Sequence, residues 1–286
     1  MIMHLGTSLP AGLIAVFQFM PATRRFVLYH RTAGYLAVTL AFVGNIGALI
    51  LTETAMGGDL ATRTLMGTIA LATTITFGLA LYNIRRAQLD GHRAWMLRSW
   101  AYLGFIVTLR LIQLPMASIV TQWPAASKYV AVTCAELRYI YFSDQKVGTG
   151  TFTPAALDTF NSSYPDCVGL EPAEERTVHV LVHGVMNPTD VGQANAGLMT
   201  TFAAAGWLAI LIHAVVVETY LWLTPAETKR LRKISYQRQA ARGYKNPGSA
   251  GAVAQRLGDA EDWVLPEEEA SSSEGSDEQS NNEVKV

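Results

Sequence analysis

The sequence predicts an all-α protein, a polytopic transmembrane helical bundle of about five spans, with a long extracytoplasmic loop and a disordered acidic C-terminal tail. Three observations carry this. Only 16% of the 286 residues are charged and half are hydrophobic, whereas a soluble domain carries roughly 25% charge. The charge is missing in blocks: 1–23, 32–52, 64–84 and 191–217 contain no Lys, Arg, Asp or Glu. Each block is long enough for the roughly 20 apolar residues that cross a bilayer. A fifth block, 99–127, holds one charge, Arg110.

The first span is placed at 4–21. No Lys or Arg precedes it and Arg24-Arg25 follow it, the reverse of a cleavable signal peptide, so it is expected to be retained. It starts almost at the first methionine, which leaves an upstream portion as an expectation. Pro10 should kink or delay this helix. The remaining spans are placed at 33–52, 64–84, 99–119 and 197–222, with an outer loop at 120–196. Arg24, Arg25 and Arg31 sit between spans one and two. Arg85, Arg86, Arg93 and Arg98 sit between spans three and four against Asp90 alone, and Lys229, Arg230, Arg232 and Lys233 follow the last span. Basic connections stay cytoplasmic, so the amino terminus is expected outside and the carboxyl terminus inside.

The outer loop carries the sequon Asn161-Ser162-Ser163 and both cysteines, Cys134 and Cys167. A glycosylating, oxidising compartment would modify the one and pair the others. The alternative for Cys134 is a small buried hydrophobe. Together these marks place the chain as an integral, multi-pass protein of the endomembrane system or plasma membrane. Within the loop, Tyr129 to Phe142 is too short to span and reads as an amphipathic or re-entrant helix on the outer side. VHVLVH, Val178 to His183, alternates like a short strand. His179 and His183 are four apart but have no acidic third ligand at a recognised spacing, so no metal is expected. After the last span, Thr224, Pro225 and Glu227 form a helix start. The basic segment 224–263 is expected to lie along anionic lipid. Residues 264–286 are acidic and serine-rich and read as disordered.

Two stretches resemble each other: RRFVLYHRTAGYL from Arg24 and RRAQLDGHRAWML from Arg85. Each closes one span with Arg-Arg and opens the next with His-Arg, as internal repeats of membrane proteins do. His30 with Arg31, and His92 with Arg93, thereby stand at helix amino termini, where free N–H groups and the dipole favour anions. Beside a purely structural collar, three uses stay open. The pairs could bind a lipid or substrate phosphate, act as acid–base groups, or hold haem b through both imidazoles. Inside the membrane, Arg110 lies near the bilayer centre and should face the bundle, since an unpartnered charge there costs at least about 2.5 kcal/mol. His213 lies at similar depth and Glu218 nearer the cytoplasm. With Arg110 they form a candidate catalytic set. Gln113, Gln18 and Asn45 read as helix–helix hydrogen bonders.

HRTAGYL, GHRAWMLRSW with the following TLRL, and ETYLWLTPAETKRLRKISYQRQ are similar to the fungal branch of a family of predicted multi-pass membrane proteins of unknown function. That family is recognised by His-Arg-x-x-Gly-Tyr and His-Arg-x-Trp-Met-x-Arg elements. The resemblance runs from His4 to about Trp263. It implies His30, Arg31, Gly34, Tyr35, His92, Arg93, Trp95, Met96, Arg98 and Arg110 as motif positions, with His4 and Gln18 as polar positions on the opening helix. It implies no reaction. The leading expectation is a haem-binding or quinone-linked redox protein. The alternatives are an acid–base enzyme acting on a lipid-like or isoprenoid substrate, with Glu218 or His213 as proton donor, and a non-catalytic scaffold or transporter-like protein. Membrane lipids are the expected partners. A net charge of −1 supplies no field that would gather nucleic acid.

Overall fold

The computed structural model describes residues 1–122, 128–147, 154–186, 189–261 and 263–264. The expected acidic tail lies, from residue 265 on, outside the described residues. In chain order the elements are α1 (Ile2–Phe19), α2 (Pro21–Arg24), α3 (Val27–Leu51), α4 (Leu60–Arg85), α5 (Leu89–Leu103), α6 (Phe105–Thr121), β1 (Tyr129–Thr133), α7 (Cys134–Val147), α8 (Pro154–Ser163), β2 (His179–His183), α9 (Val191–Leu223) and α10 (Pro225–Ala240).

Five helical stretches are long and apolar enough to cross a membrane: α1, α3, α4, the α5–α6 run from Leu89 to Thr121, and α9. At most 39% of the most apolar window of any of them is buried within the chain. Leu13, Ile50, Leu71, Leu111, Ile119 and Val216 remain exposed, and a bilayer is the solvent that such surfaces require. The chain is an integral membrane protein. All five helices overlap the expected spans and begin two to ten residues before them, while α1 and α3 stop at Phe19 and Leu51, just short of the expected ends. The charge-free blocks mark hydrocarbon, whereas a helix continues into the headgroup layer with its backbone still satisfied. The extension is largest at α5, which begins at Leu89, ten residues before the expected span. His92, Arg93 and Arg98 therefore lie inside the helix. Pro10 sits within α1 but does not delay it, since the helix starts at Ile2.

The chain divides into two compact units, Met1–Leu71 with Leu103–His213, and Ala72–Tyr102 with Ala214–Val286. In the first, α1 packs antiparallel on α3. His4 Nδ1 donates to the Gly44 carbonyl at 2.9 Å. A Cβ on Gly47 would stand 3.0 Å from His4 Cα, so glycine lets the two helices approach this closely without a shift. A second cluster joins α4, α6 and α9 through Leu65, Ile69, Phe105, Leu109, Phe202, Ala205 and Ala209.

The described residues of 128–147 and 154–186 fold against the start of α9. β1 and β2 pair antiparallel, with Tyr129 opposite His183 and Thr133 opposite His179. The strand expected from VHVLVH is present. Its partner YVAVT was expected to be helical and is instead a strand. Here the helix begins only at Cys134, and Thr133 Oγ1 accepts the Glu136 N–H at 3.2 Å. Val132 and Val182 point into a core with Leu137, Tyr141, Phe142, Phe160 and Tyr164. Cys134 and Cys167 are joined by a disulfide across 33 residues, with Cα atoms 5.3 Å apart.

Asp190 ties this core to the last span. It is buried, and its Oδ1 accepts the Tyr141 hydroxyl at 2.6 Å and the Tyr164 hydroxyl at 3.2 Å. The same oxygen accepts the Gln193 N–H at 3.0 Å, an N-cap at the positive end of α9. Burial, then the carboxylate beside it, pushes the Tyr164 hydroxyl up to about 12, and Tyr141 is raised by the same causes. Asp190→Ala is expected to lower stability by roughly 3 kcal/mol, because it orphans two buried phenols and a helix start. Thermal melting of the purified protein measures this. Both tyrosines have folded values above the ordinary phenol value of 10.0. The contribution of Tyr164 is therefore complete below pH 10 and is lost as pH rises through about 12. Tyr164→Phe should flatten that alkaline loss.

Candidate functional site

The second unit is built around the turn between α4 and α5. Gln88 N–H donates to Asn83 O at 2.8 Å and Ala87 N–H to Ile84 O at 3.0 Å, the two bonds of a Schellman stop. The left-handed position falls on Ala87, with φ 53°, where glycine is the usual residue. An L-residue there costs roughly 1–2 kcal/mol, so neighbouring contacts must hold the turn.

Those contacts form a buried polar clasp. Gln88 and Gln239 are fully buried and satisfy each other. Gln88 Nε2 donates to Asp90 Oδ1 at 2.8 Å and to Gly248 O at 3.0 Å. Gln88 Oε1 accepts from Gln239 Nε2 at 2.9 Å and from Gly251 N–H at 3.1 Å. Gln239 Nε2 also donates to Arg86 O at 3.0 Å, while its Oε1 accepts the Gly248 N–H at 2.6 Å. Asp90 Oδ1 accepts the Ser235 hydroxyl at 2.9 Å, and Oδ2 accepts from Arg232 at 3.1 Å. The Arg232 guanidinium continues to Ser249 and Gln255 and lies over the Trp263 ring. Gly251 is obligatory: a Cβ there would stand 2.3 Å from Asn83 Oδ1.

The stretch GHRAWMLRSW stitches α5 to its neighbours. On the α4 side, His92 Nδ1 donates to Ala80 O at 2.9 Å, Ser99 Oγ lies 2.8 Å from Thr76 Oγ1, and Trp100 meets Phe77 edge-on at 5.3 Å. Toward the end of α9, Arg93 donates to Thr224 Oγ1 at 3.0 Å and lies over the Tyr220 ring. Arg98 grips Glu218 with two bonds, 2.6 and 2.8 Å, and stacks on Trp95 at 4.7 Å. Bidentate arginine–carboxylate pairs fix geometry as well as charge.

The first unit holds the other candidates. His30 is half-buried in the first turn of α3 and Arg31 is exposed. Gly34 faces Gln18, whose Oε1 would touch a Cβ there at 3.5 Å. Arg110 was expected to face the bundle. It is exposed, with its guanidinium 5.3 Å over the Phe202 ring and one bond of 2.8 Å to Gln113 Oε1. Gln113 is buried and passes the link on to Leu198 O at 3.0 Å. His213 Nε2 is 2.8 Å from Thr108 Oγ1. Of the three expected catalytic groups, Arg110 and His213 belong to the first unit and Glu218 to the second. Asn161 is half-exposed in α8, between buried Phe160 and exposed Ser162. His179 and His183 lie on a strand, where four residues span about 13 Å. His179 bonds Thr177 O and His183 stacks on Tyr129.

The clasp itself escaped the reading of the sequence. Gln88 is 147 or more residues from Ser235, Gln239 and Gly251 in the C-terminal segment, and none of the four is unusual by type. One signal was available: α10 is a polar helix whose uncharged Ser235 and Gln239 are spaced four apart, on one face. Asp90→Ala leaves Arg232 buried and unpaired and should cost about 3 kcal/mol. Gly251→Ala should cost roughly 1–3 kcal/mol through the clash. Limited proteolysis at Arg242 to Lys245 reads both, and an unchanged cleavage rate in either variant would contradict the clasp.

A family described as a predicted membrane protein, DUF2306, matches residues 1–143, which hold α1 to α6 and both His-Arg elements. No curated protein and no solved structure matches the chain. The matched half contains every motif position from His30 to Arg110, and the chain belongs to the DUF2306 family of predicted membrane proteins.

Proposed function

We propose that this chain is a non-catalytic membrane scaffold of the endomembrane system or plasma membrane. It would present the disulfide-closed 128–186 module on the outer side and the clasped C-terminal segment on the cytoplasmic side. The observation that carries this reading is how the His-Arg-x-Trp-Met-x-Arg element spends its polar groups. His92, Arg93 and Arg98, and Ser99 directly after the element, each bond another helix or its cap. The sidedness rests on the basic connections, the disulfide and the Asn161 sequon, which we assign as glycosylated.

A haem-binding or quinone-linked redox protein is the second reading, favoured by one specific contact. The Nδ1 proton of His92 is held by the Ala80 carbonyl, which puts the lone pair on Nε2, the arrangement that orients metal-ligating histidines. An acid–base enzyme acting on a lipid-like or isoprenoid substrate ranks below both. Both oxygens of Glu218 accept from one guanidinium, and His213 is engaged by Thr108.

Charge reversal separates these readings. Arg98→Glu alone should lower the yield of folded protein, and the pair Arg98→Glu with Glu218→Arg should restore it. Restored folding without a Soret band in the purified protein supports the scaffold. A Soret band that disappears in His92→Ala establishes the redox reading instead. For sidedness, a peptide N-glycosidase shift should be lost in Asn161→Gln. Cytosolic protease cleaving the 128–186 module in sealed vesicles would overturn the assignment.

A further inference from the structure

Beyond the scaffold reading, the second unit carries two arginines whose charge no acid among the described residues neutralises. Tyr82 lies in the last turn of α4. The Arg86 guanidinium sits 5.7 Å from its ring centroid and that of Arg256 5.9 Å. Arg256 Nη1 also donates to the Tyr82 hydroxyl, and to Ala250 O at 3.2 Å. No carboxylate pairs with Arg86 or Arg256 among the described residues. Asp90, the acid nearest Arg86 in sequence, is spent on Arg232, while Asp259 and Glu261, the acids nearest Arg256, are exposed and make no ion pair among those residues.

A half-open hollow of about 300 Å³ lies beside this cluster, lined by Tyr82, Ala252, Val253 and Arg256. Its wall is fixed rather than floppy, because the Ala252 N–H donates to Asn83 Oδ1 at 3.0 Å and the clasp holds Gly251. Two cations thus converge on one phenol at the mouth of a preformed hollow with apolar Ala252 and Val253 on its other side. Depth decides the ligand. α4 has 26 residues, about 39 Å of helix, against a hydrocarbon core of roughly 30 Å. Its final turn therefore stands among headgroups, where phosphate is the abundant anion and acyl chain lies next to it.

We propose that Tyr82, Arg86 and Arg256 form a binding site for the phosphate of an anionic lipid headgroup, with Ala252 and Val253 against its glycerol backbone. The guanidiniums supply paired N–H donors to the phosphate oxygens, and the Tyr82 ring holds both cations in place by cation–π contact. The site does not depend on which leaflet it faces, since detergent-solubilised protein tests it directly.

The test is native mass spectrometry of the purified full-length protein, given equal amounts of dioleoyl phosphatidic acid and dioleoyl phosphatidylcholine. The wild type should retain phosphatidic acid preferentially. Arg256→Gln should reduce that retention about fivefold, the effect of one arginine near a lipid surface. Arg86→Gln should do the same, and it keeps the test valid if Arg256→Gln fails to fold, because the backbone bonds of Arg86 to Tyr82, Asn83 and Gln239 survive the substitution. Arg242→Gln, an exposed arginine of the same segment, should change nothing. Displacement of the retained species by inorganic phosphate supports the anion site and assigns it to a soluble phosphate. Equal retention of both lipids, unchanged retention in Arg256→Gln and Arg86→Gln, or an equal loss in Arg242→Gln overturns the proposal.

Discussion

One buried carboxylate organises the second unit. Asp90 stands in the first turn of α5 and receives Gln88, Ser235 and Arg232 together. Without those donors it would be an ion in a protein interior, which costs several kcal/mol. With them it closes a left-handed turn that alanine disfavours. It also draws the C-terminal segment onto a membrane hairpin that would otherwise expose its backbone ends. The His-Arg-x-Trp-Met-x-Arg element depends on this closure, because the same helix then reaches Ala80, Thr76, Thr224 and Glu218 from fixed positions.

The first unit solves a similar problem with a different carboxylate. Asp190 is both an N-cap and the acceptor of two phenols. In each unit a single acid at a helix start joins a membrane helix to chain outside the apolar spans. Helix amino termini favour negative charge, and both sites add hydroxyl or guanidinium donors to make the burial tolerable.

Much of this was legible. Four charge-free blocks and a fifth with a single arginine marked the five apolar helices, because lipid tolerates few ionisable groups, and that constraint acts locally along the chain. VHVLVH announced its strand by alternation. YVAVT did not announce its own, because it runs directly into the helix of Cys134 to Val147, and its partner lies more than forty residues away. Arg110 announced itself as the lone charge of an apolar run, yet its direction depends on Gln113 and Phe202, which a linear reading cannot orient. The clasp was invisible for the same reason: glutamine and serine become informative only once distant segments meet.

The cystine changes the order in which the 128–186 module can assemble. β1 ends at Thr133 and β2 begins at His179, so a reduced chain must search across some forty-six residues to register the sheet. Oxidation of Cys134 with Cys167 shortens that contour to about thirteen. Loop-closure entropy falls with the logarithm of length, here by about 1 kcal/mol. During synthesis Cys167 emerges before β2, so sulfur chemistry can precede strand pairing and act as its chaperone. Only afterwards does Asp190 arrive with the final helix to seal the domain.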